Sequence, residues 1–137
     1  MMSEFNKRSL DNLAQCDFRL QQIAAEAVKE IGFAVIVGHR SDADQQKAYD
    51  AGLSKLSAGK SPHNATPSLA FDFIPSPFSD ADWKNLARFK EVANVLCQKA
   101  KELGYSARWG GTWTGDANDP PAHFADCDHF ELHGSQT

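Results

Sequence analysis

Two short segments, far apart in the chain, most constrain how this sequence can fold, because both carry side chains that bind metal ions. The first contains His63 and Asp72, and the second contains Asp126 and His129. Zinc accepts imidazole nitrogen and carboxylate oxygen, and a catalytic zinc site keeps three protein ligands and one open position for water. A fold that gathers His63, Asp72 and His129 would bring Asp126 near that water, where a carboxylate can accept its proton.

Residue types alone leave a simpler interpretation open for this set. His63 falls in a polar loop and His129 at the start of a strand, so they could equally be a solvated loop histidine and an edge-strand histidine. Asp72, however, lies between Phe71 and Phe73 in an apolar run. A lone carboxylate in such a strand is costly unless it is paired or bound to a cation.

The composition is that of one globular domain, so we predict a single domain over residues 1–137. The formal net charge of −4 argues against a nucleic-acid partner. The sequence contains no apolar run long enough to span a membrane, and its first residues lack the apolar core of a signal peptide. We therefore expect synthesis in the cytoplasm and no membrane partner.

The three cysteines do not suggest a disulfide framework, because their number is odd and their spacing is irregular. Cys16 and Cys97 fall in helical patterns and are expected in the core. Cys127 lies inside the second metal-binding segment and could be a ligand, but its neighbours Asp126 and His129 fit that role better.

Hydrophobic periodicity predicts three helices and four short strands. Helices are predicted over residues 9–31, 42–50 and 79–103, and strands over residues 33–37, 69–74, 106–109 and 129–132. The elements favour an α+β fold, with a small, mainly antiparallel sheet flanked by helices. The candidate zinc site is expected on one face of this sheet.

The order of four short motifs resembles a family of zinc peptidases that act on bacterial cell walls. This family includes D-Ala-D-Ala dipeptidases, D-Ala-D-Ala carboxypeptidases and phage L-alanoyl-D-glutamate endolysins. Its pattern is Gly-x-Arg, Ser-x-His, Ala-x-Asp and then Glu or Asp-x-x-His, which this chain matches at residues 38–40, 61–63, 70–72 and 126–129. Each motif alone is weak, whereas four in this order are fairly specific.

The resemblance implies a role for each matching residue. The ligands of one zinc ion fall on His63, Asp72 and His129, the general base on Asp126, and the arginine that polarises the substrate on Arg40. An aspartate at the position of the base looks more like the phage endolysins than like the dipeptidases.

The resemblance also implies an activity. The expected protein is a monomeric phage or prophage endolysin that cuts the L-Ala–D-Glu bond of the peptidoglycan stem peptide. It would be made in the host cytoplasm and would act on the wall after release. The alternatives are a D-Ala-D-Ala carboxypeptidase and a non-catalytic module that binds zinc or the cell wall.

Neighbouring polar residues receive weaker predictions. Glu131 follows His129 by two residues, shares its strand face, and could orient that ligand. Asp128 should point the other way and have a structural role. His123 is preceded, three residues earlier, by Pro120 instead of a carboxylate, so His129 is the preferred ligand.

Three further features leave questions for the structure. The loop between His63 and Asp72 is longer than is usual in the family. Oxygen-bearing side chains at residues 116–119 could bind calcium, but they lack the spacing of an EF-hand loop, so a solvated loop is expected. Of Trp109 and Trp113, one is expected in the core, and the other could form a wall of the substrate cleft.

Overall fold

A computed structural model describes residues 4–123 and 125–136 of the chain. Its helices are α1 (Lys7–Ala14), α2 (Phe18–Val28), α3 (Asp42–Asp50) and α4 (Leu86–Leu103). Its strands are β1 (Phe33–Val37), β2 (Ala70–Pro75), β3 (Ala107–Trp109) and β4 (His129–Leu132). Short 3-10 turns cover Pro62–Asn64 and Asp80–Lys84. The predicted α+β fold is confirmed.

The four strands form one sheet in the order β1-β2-β4-β3, and every neighbouring pair is antiparallel. Side chains alternate along β2, so Phe71 and Phe73 enter the core while Asp72 faces the opposite side. Phe130 of β4 pairs with Phe71 and is also fully buried. The sheet thus has one apolar face and one face that carries polar groups.

The core lies between the apolar face of the sheet and the helices. α2 and α4 pack against each other, and α4 contacts β2 and β3. The face of α4 that enters the core carries the buried residues Phe89, Val92, Ala93, Leu96, Cys97 and Ala100. Burying each large apolar side chain contributes about 1.5–3 kcal/mol. Among the described residues, no helix combines the length and the hydropathy needed to cross a membrane.

The predicted continuous helix over residues 9–31 is wrong, because a distant loop interrupts it. The Asp17 amide donates to the Ser68 carbonyl at 2.9 Å, and the Ser68 amide donates to the Gln15 carbonyl at 2.9 Å. These bonds end α1 and leave Asp17 to begin α2, where its side chain accepts from the Arg19 amide as an N-cap. Local periodicity cannot reveal a break that depends on Ser68.

The last helix also begins later than predicted. The side chain of Asp82 accepts from the Ser79 amide at 2.8 Å, and this bond belongs to the 3-10 turn Asp80–Lys84. Asn85 then departs from helical dihedrals, and α4 begins at Leu86. The start signal at Ser79 was therefore real, but it belongs to a separate turn.

Candidate metal centre

The three predicted metal ligands meet on the polar face of the sheet. His63, Asp72 and His129 each offer one ligand atom, and these atoms all lie within 4.8 Å of one another. All three residues are buried, with relative exposures of 2%, 6% and 5%. Buried charges are normally paired or bound to metals, so this cluster is the candidate metal centre.

A short turn positions His63. The Ser61 side chain accepts from the His63 amide at 3.1 Å, and the Asn64 side chain accepts from the Ser61 amide at 3.0 Å. Pro62 occupies the first position of this turn, where a missing N–H is tolerated. The Ser-x-His motif therefore fixes the histidine through a reciprocal cap.

Strand register positions the other two ligands. Asp72 of β2 lies directly opposite His129 of β4, so the two side chains emerge side by side from the same face. A slip by one residue would turn either side chain into the apolar core. The pairing of Phe71 with Phe130 on the buried face opposes such a slip.

Hydrogen bonds orient both imidazole rings. Nδ1 of His63 lies 2.8 Å from the Gly38 carbonyl oxygen, which leaves Nε2 facing Asp72 Oδ1 at 3.0 Å. Nε2 of His129 lies 2.7 Å from Glu131 Oε1, which leaves Nδ1 facing Asp72 Oδ1 at 3.5 Å. Outer partners of this kind fix the ligating nitrogen in metal sites. The proposed orienting role of Glu131 therefore has the required geometry.

The electrostatics of the cluster favour a cation. Burial alone would lower the pKa of His129, but hydrogen bonds to Asp72 and Glu131 raise it to about 10. Burial alone would raise the pKa of Asp72, yet hydrogen bonds with His129 and His63 hold it well below its usual range. A divalent metal ion between these groups would supply the positive charge that the carboxylates stabilise. The donor set and its arrangement therefore fit a metal ion.

Asp126 lies beside the metal cluster and outside it. Its backbone N–H donates to the Gly110 carbonyl at 2.8 Å, and the Gly110 N–H donates to the His129 carbonyl at 2.8 Å. A methyl group at Gly110 would collide with the carbonyl oxygen of Asp126. The segment before β4 is therefore docked tightly on the turn after β3, and Asp126 faces the same cavity as the ligands.

Asp128 was predicted to point away from the site, and that prediction is wrong. It precedes β4 and lies in a turn, so the alternation of a strand does not apply to it. Asp128 lines the cavity, where burial, the charge of Asp72 and contact with Asp126 raise its pKa to about 9. Asp128 and Asp126 are thus in contact, and in its protonated form Asp128 can donate a hydrogen bond to Asp126.

Arg40 follows β1 and lines the same cavity. Its Nη2 lies 3.4 Å from Asp72 Oδ2, and its Nη1 donates to Gln45 Oε1 at 3.0 Å. Its backbone amide donates to the His63 carbonyl at 2.9 Å. The guanidinium is partly exposed, so it can reach a molecule in the cavity while it remains tied to the ligand segment.

The cavity over the cluster has a volume of about 930 Å³. Trp113 forms one wall, and its ring lies 5.4 Å from the ring of His129 and 5.2 Å from the Arg108 guanidinium. Trp113 adopts a φ of +56°, which is uncommon for a bulky residue. Trp109 is buried in the core, so the two tryptophans divide as predicted between the core and the wall of the cleft.

The family model of the phage L-alanyl-D-glutamate peptidases matches residues 1–133. The chain belongs to this family. The family and the enzyme class predicted from the motif order are therefore confirmed.

A curated phage protein and a solved bacterial structure are similar to this phage-type peptidase. The L-alanyl-D-glutamate peptidase of Escherichia phage T5 is 31% identical over 123 residues, which cover 87% of this chain and 89% of that protein. The crystal structure of the L-Ala D-Glu endopeptidase ChiX of Serratia marcescens matches with a TM-score of 0.73 and 26% identity. This match covers 96% of the present chain and 91% of ChiX.

The long loop of this family member still brings its two ligands together. Ser68, near the end of the loop, pairs with the junction of α1 and α2, and the Leu69 amide donates to the Pro62 carbonyl at 3.0 Å. This bond joins the two ends of the loop beside His63, and β2, which carries Asp72, begins directly after it. Through Ser68 the loop also joins the metal centre to the first two helices.

The remaining predicted candidates lie outside the three-ligand cluster. Cys127 packs against the core. Burial raises the pKa of its thiol, and the charges of Asp126 and Asp128 raise it further. A raised pKa disfavours the thiolate that binds metal. His123 lines the cavity without joining the cluster. In the loop at residues 116–119, the Asp116 carboxylate accepts from the Asn118 amide at 2.8 Å.

Proposed function

We propose that this protein is a zinc-dependent endopeptidase that hydrolyses the L-Ala–D-Glu bond in the stem peptide of bacterial peptidoglycan. We further propose that it acts as a phage or prophage endolysin. The observation that carries this proposal is the cluster of His63, Asp72 and His129 beside Asp126 in one cavity. Family membership supports the bond that is cut.

The donor set supports zinc as the metal. Two imidazoles and one carboxylate match the ligands of catalytic zinc sites, and three protein ligands leave a position for water. Bound zinc would supply Lewis acidity, which lowers the pKa of a water molecule and polarises a carbonyl group. His63, Asp72 and His129 would hold the ion.

The neighbouring residues would move the proton and stabilise charge. The Asp126 carboxylate accepts the proton of the attacking water and delivers it to the departing amine of D-Glu. The Arg40 guanidinium donates hydrogen bonds to the oxygen of the scissile carbonyl as negative charge develops on it. Asp128 donates to Asp126 and holds this carboxylate in place.

The rim of the cavity suits an anionic peptide, although the chain as a whole is acidic. Lys55 and Lys60 line the cavity together with Arg40. Peptidoglycan stem peptides carry carboxylates that these cations can pair with, while the acidic residues of the cavity belong to the metal cluster and its neighbours. The same rim carries the exposed side chains of Leu53 and Leu56.

Mass spectrometry of digested peptidoglycan tests this proposal. The wild-type protein should release stem peptides with a new D-Glu amino terminus, and His129→Ala should abolish both this product and zinc binding. Asp126→Asn should keep the zinc, measured by elemental analysis, and lower the rate about a hundred- to ten-thousandfold. Release of terminal D-Ala alone would indicate a carboxypeptidase. No zinc-dependent product would favour a binding module.

The setting of the enzyme is part of the proposal. A single chain carries all the groups of the site, so the protein is proposed to act as a monomer. It would reach the wall after release from the host cytoplasm. Light scattering during size-exclusion chromatography tests the monomeric state. Lysis of host cells with and without membrane permeabilisation tests whether the protein must be released before it can act on the wall.

A further inference from the structure

Gln45 is the one residue of α3 that is buried, and its relative exposure is 0%. The other residues of this short helix are exposed or partly exposed. A buried amide is costly unless its polar atoms are hydrogen-bonded, so its partners explain why it lies inside.

The Gln45 side chain joins two parts of the active-site cavity. Its Oε1 accepts from Arg40 Nη1 at 3.0 Å. Its Nε2 donates to the Leu56 carbonyl at 2.7 Å and to Ser54 Oγ at 2.9 Å. One amide therefore holds the guanidinium with its oxygen and a loop of the cavity wall with its nitrogen.

This cavity-wall loop comprises residues 53–60. Leu53 is 82% exposed and Leu56 is 41% exposed, and both line the cavity beside Lys55 and Lys60. Exposed leucines contribute nothing to the core, so their position is set by the backbone that carries them. Gln45 holds this loop at two points, the backbone carbonyl of Leu56 and the side-chain hydroxyl of Ser54.

We propose that Gln45 is a positioning residue that couples the orientation of the Arg40 guanidinium to the position of the cavity-wall loop. Its oxygen fixes the guanidinium relative to the scissile carbonyl, and its nitrogen fixes the loop that contacts the peptide. The inference rests on the proposed peptidase activity for its kinetic consequences and on structure alone for the coupling itself.

Two substitutions separate the two arms of the Gln45 amide, which are its oxygen contact with Arg40 and its nitrogen contacts with the loop. Gln45→Glu keeps an oxygen for Arg40 but removes both N–H donors to the loop, so most of its effect should be a rise in KM of several-fold. Gln45→Leu removes both arms and should also lower kcat by about ten- to a hundredfold, less than the loss from deleting an arginine donor. Gln98→Leu, on the exposed side of α4, is the control and should match the wild type.

A double-mutant cycle distinguishes positioning from general destabilisation. If Gln45 acts on kcat through Arg40, Gln45→Leu should lower kcat no further in an Arg40→Ala background. Additive losses in kcat would overturn the proposal. Thermal melting confirms that each variant is folded, and Gln45→Glu keeps the test valid if Gln45→Leu does not fold.

Hydrogen exchange tests the coupling without any activity measurement. Peptides that cover residues 53–60 should exchange faster in both Gln45 variants and to a smaller extent in Arg40→Ala, where the amide keeps its loop partners but loses the guanidinium. Unchanged exchange in Gln45→Glu would refute the loop arm. If the wild-type protein does not cleave peptidoglycan, the proposed function fails, while the exchange data still decide whether Gln45 holds the loop.

Discussion

Replacement of Glu131 should weaken metal binding without unfolding the protein. Glu131 is buried, and its Oε1 lies 2.7 Å from Nε2 of His129, the nitrogen that faces away from the metal cluster. Its Oε2 accepts from Arg108 Nε at 3.2 Å across the β3–β4 pair. Glu131 thus holds the His129 ring in the orientation that presents Nδ1 to the metal.

The size of the effect follows from the kind of hydrogen bond that is lost. A hydrogen bond to a charged group contributes about 1.5–3 kcal/mol. At about 1.4 kcal/mol for each factor of ten, this corresponds to a roughly ten- to hundredfold loss of affinity. Outer partners of metal ligands typically contribute that much. Glu131→Gln keeps an acceptor oxygen, so its metal affinity should fall by about tenfold. The metal affinity of Glu131→Ala should fall by about a hundredfold.

Competition with a chelator of known affinity measures the change for zinc, and cobalt spectra report the ligand geometry. His133→Ala is the matched control, because the His133 side chain is 54% exposed and its Nδ1 lies 4.0 Å from Glu131 Oε2. Arg108 can reach water when Glu131 is removed, but the buried His129 ring loses a partner, so the melting temperature should fall while the protein stays folded. Wild-type zinc affinity in Glu131→Ala, or an equal loss in His133→Ala, would refute the reasoning.

Three further substitutions test other parts of the structure. Gly110→Ala should destabilise the protein by about 1–3 kcal/mol in chemical denaturation, because its methyl group would collide with the Asp126 carbonyl. Wild-type stability would contradict the close packing of the segment before β4 on the turn after β3. The Arg19 guanidinium holds the pKa of Asp17 below its usual 3.8, so this pair stabilises the fold above that pH and less as the pH falls through the lowered pKa. Asp17→Asn should therefore lower the unfolding free energy by up to about 1 kcal/mol at pH 7 and by little at pH 2, and a loss that is independent of pH would exclude the ion pair as the cause. Cys127→Ser should leave the zinc stoichiometry unchanged in elemental analysis, whereas loss of the metal would make Cys127 a ligand.

Short motifs predicted the metal cluster better than periodicity predicted the helices. His63, Asp72 and His129 could be identified because their motifs, in this order, resemble those of a known family of zinc peptidases; residue types alone had left the choice open. The break between α1 and α2 could not, because the bonds of Asp17 to Ser68 join segments that are distant in sequence. Sheet pairing was predictable in kind, since short strands with polar connections favour an antiparallel arrangement.

Two residues at the site carried no usable sequence signal. Asp128 was misplaced because strand alternation was extended by one residue into a turn. Gln45 lies in a helix of mostly polar residues, where a buried glutamine looks the same as an exposed one. Its importance becomes visible only when the loop at residues 53–60 folds back over it.

The position of β4 in the sheet links the assembly of the sheet to the assembly of the metal cluster. β4 follows the other three strands in the chain, yet it lies between β2 and β3. Among the described strands, β3 pairs with β4 alone, so β4 connects β3 to the pair formed by β1 and β2. The same strand brings His129 opposite Asp72. One strand therefore both completes the sheet and supplies a member of the metal cluster, so a change that displaced β4 would disrupt the sheet and the cluster together.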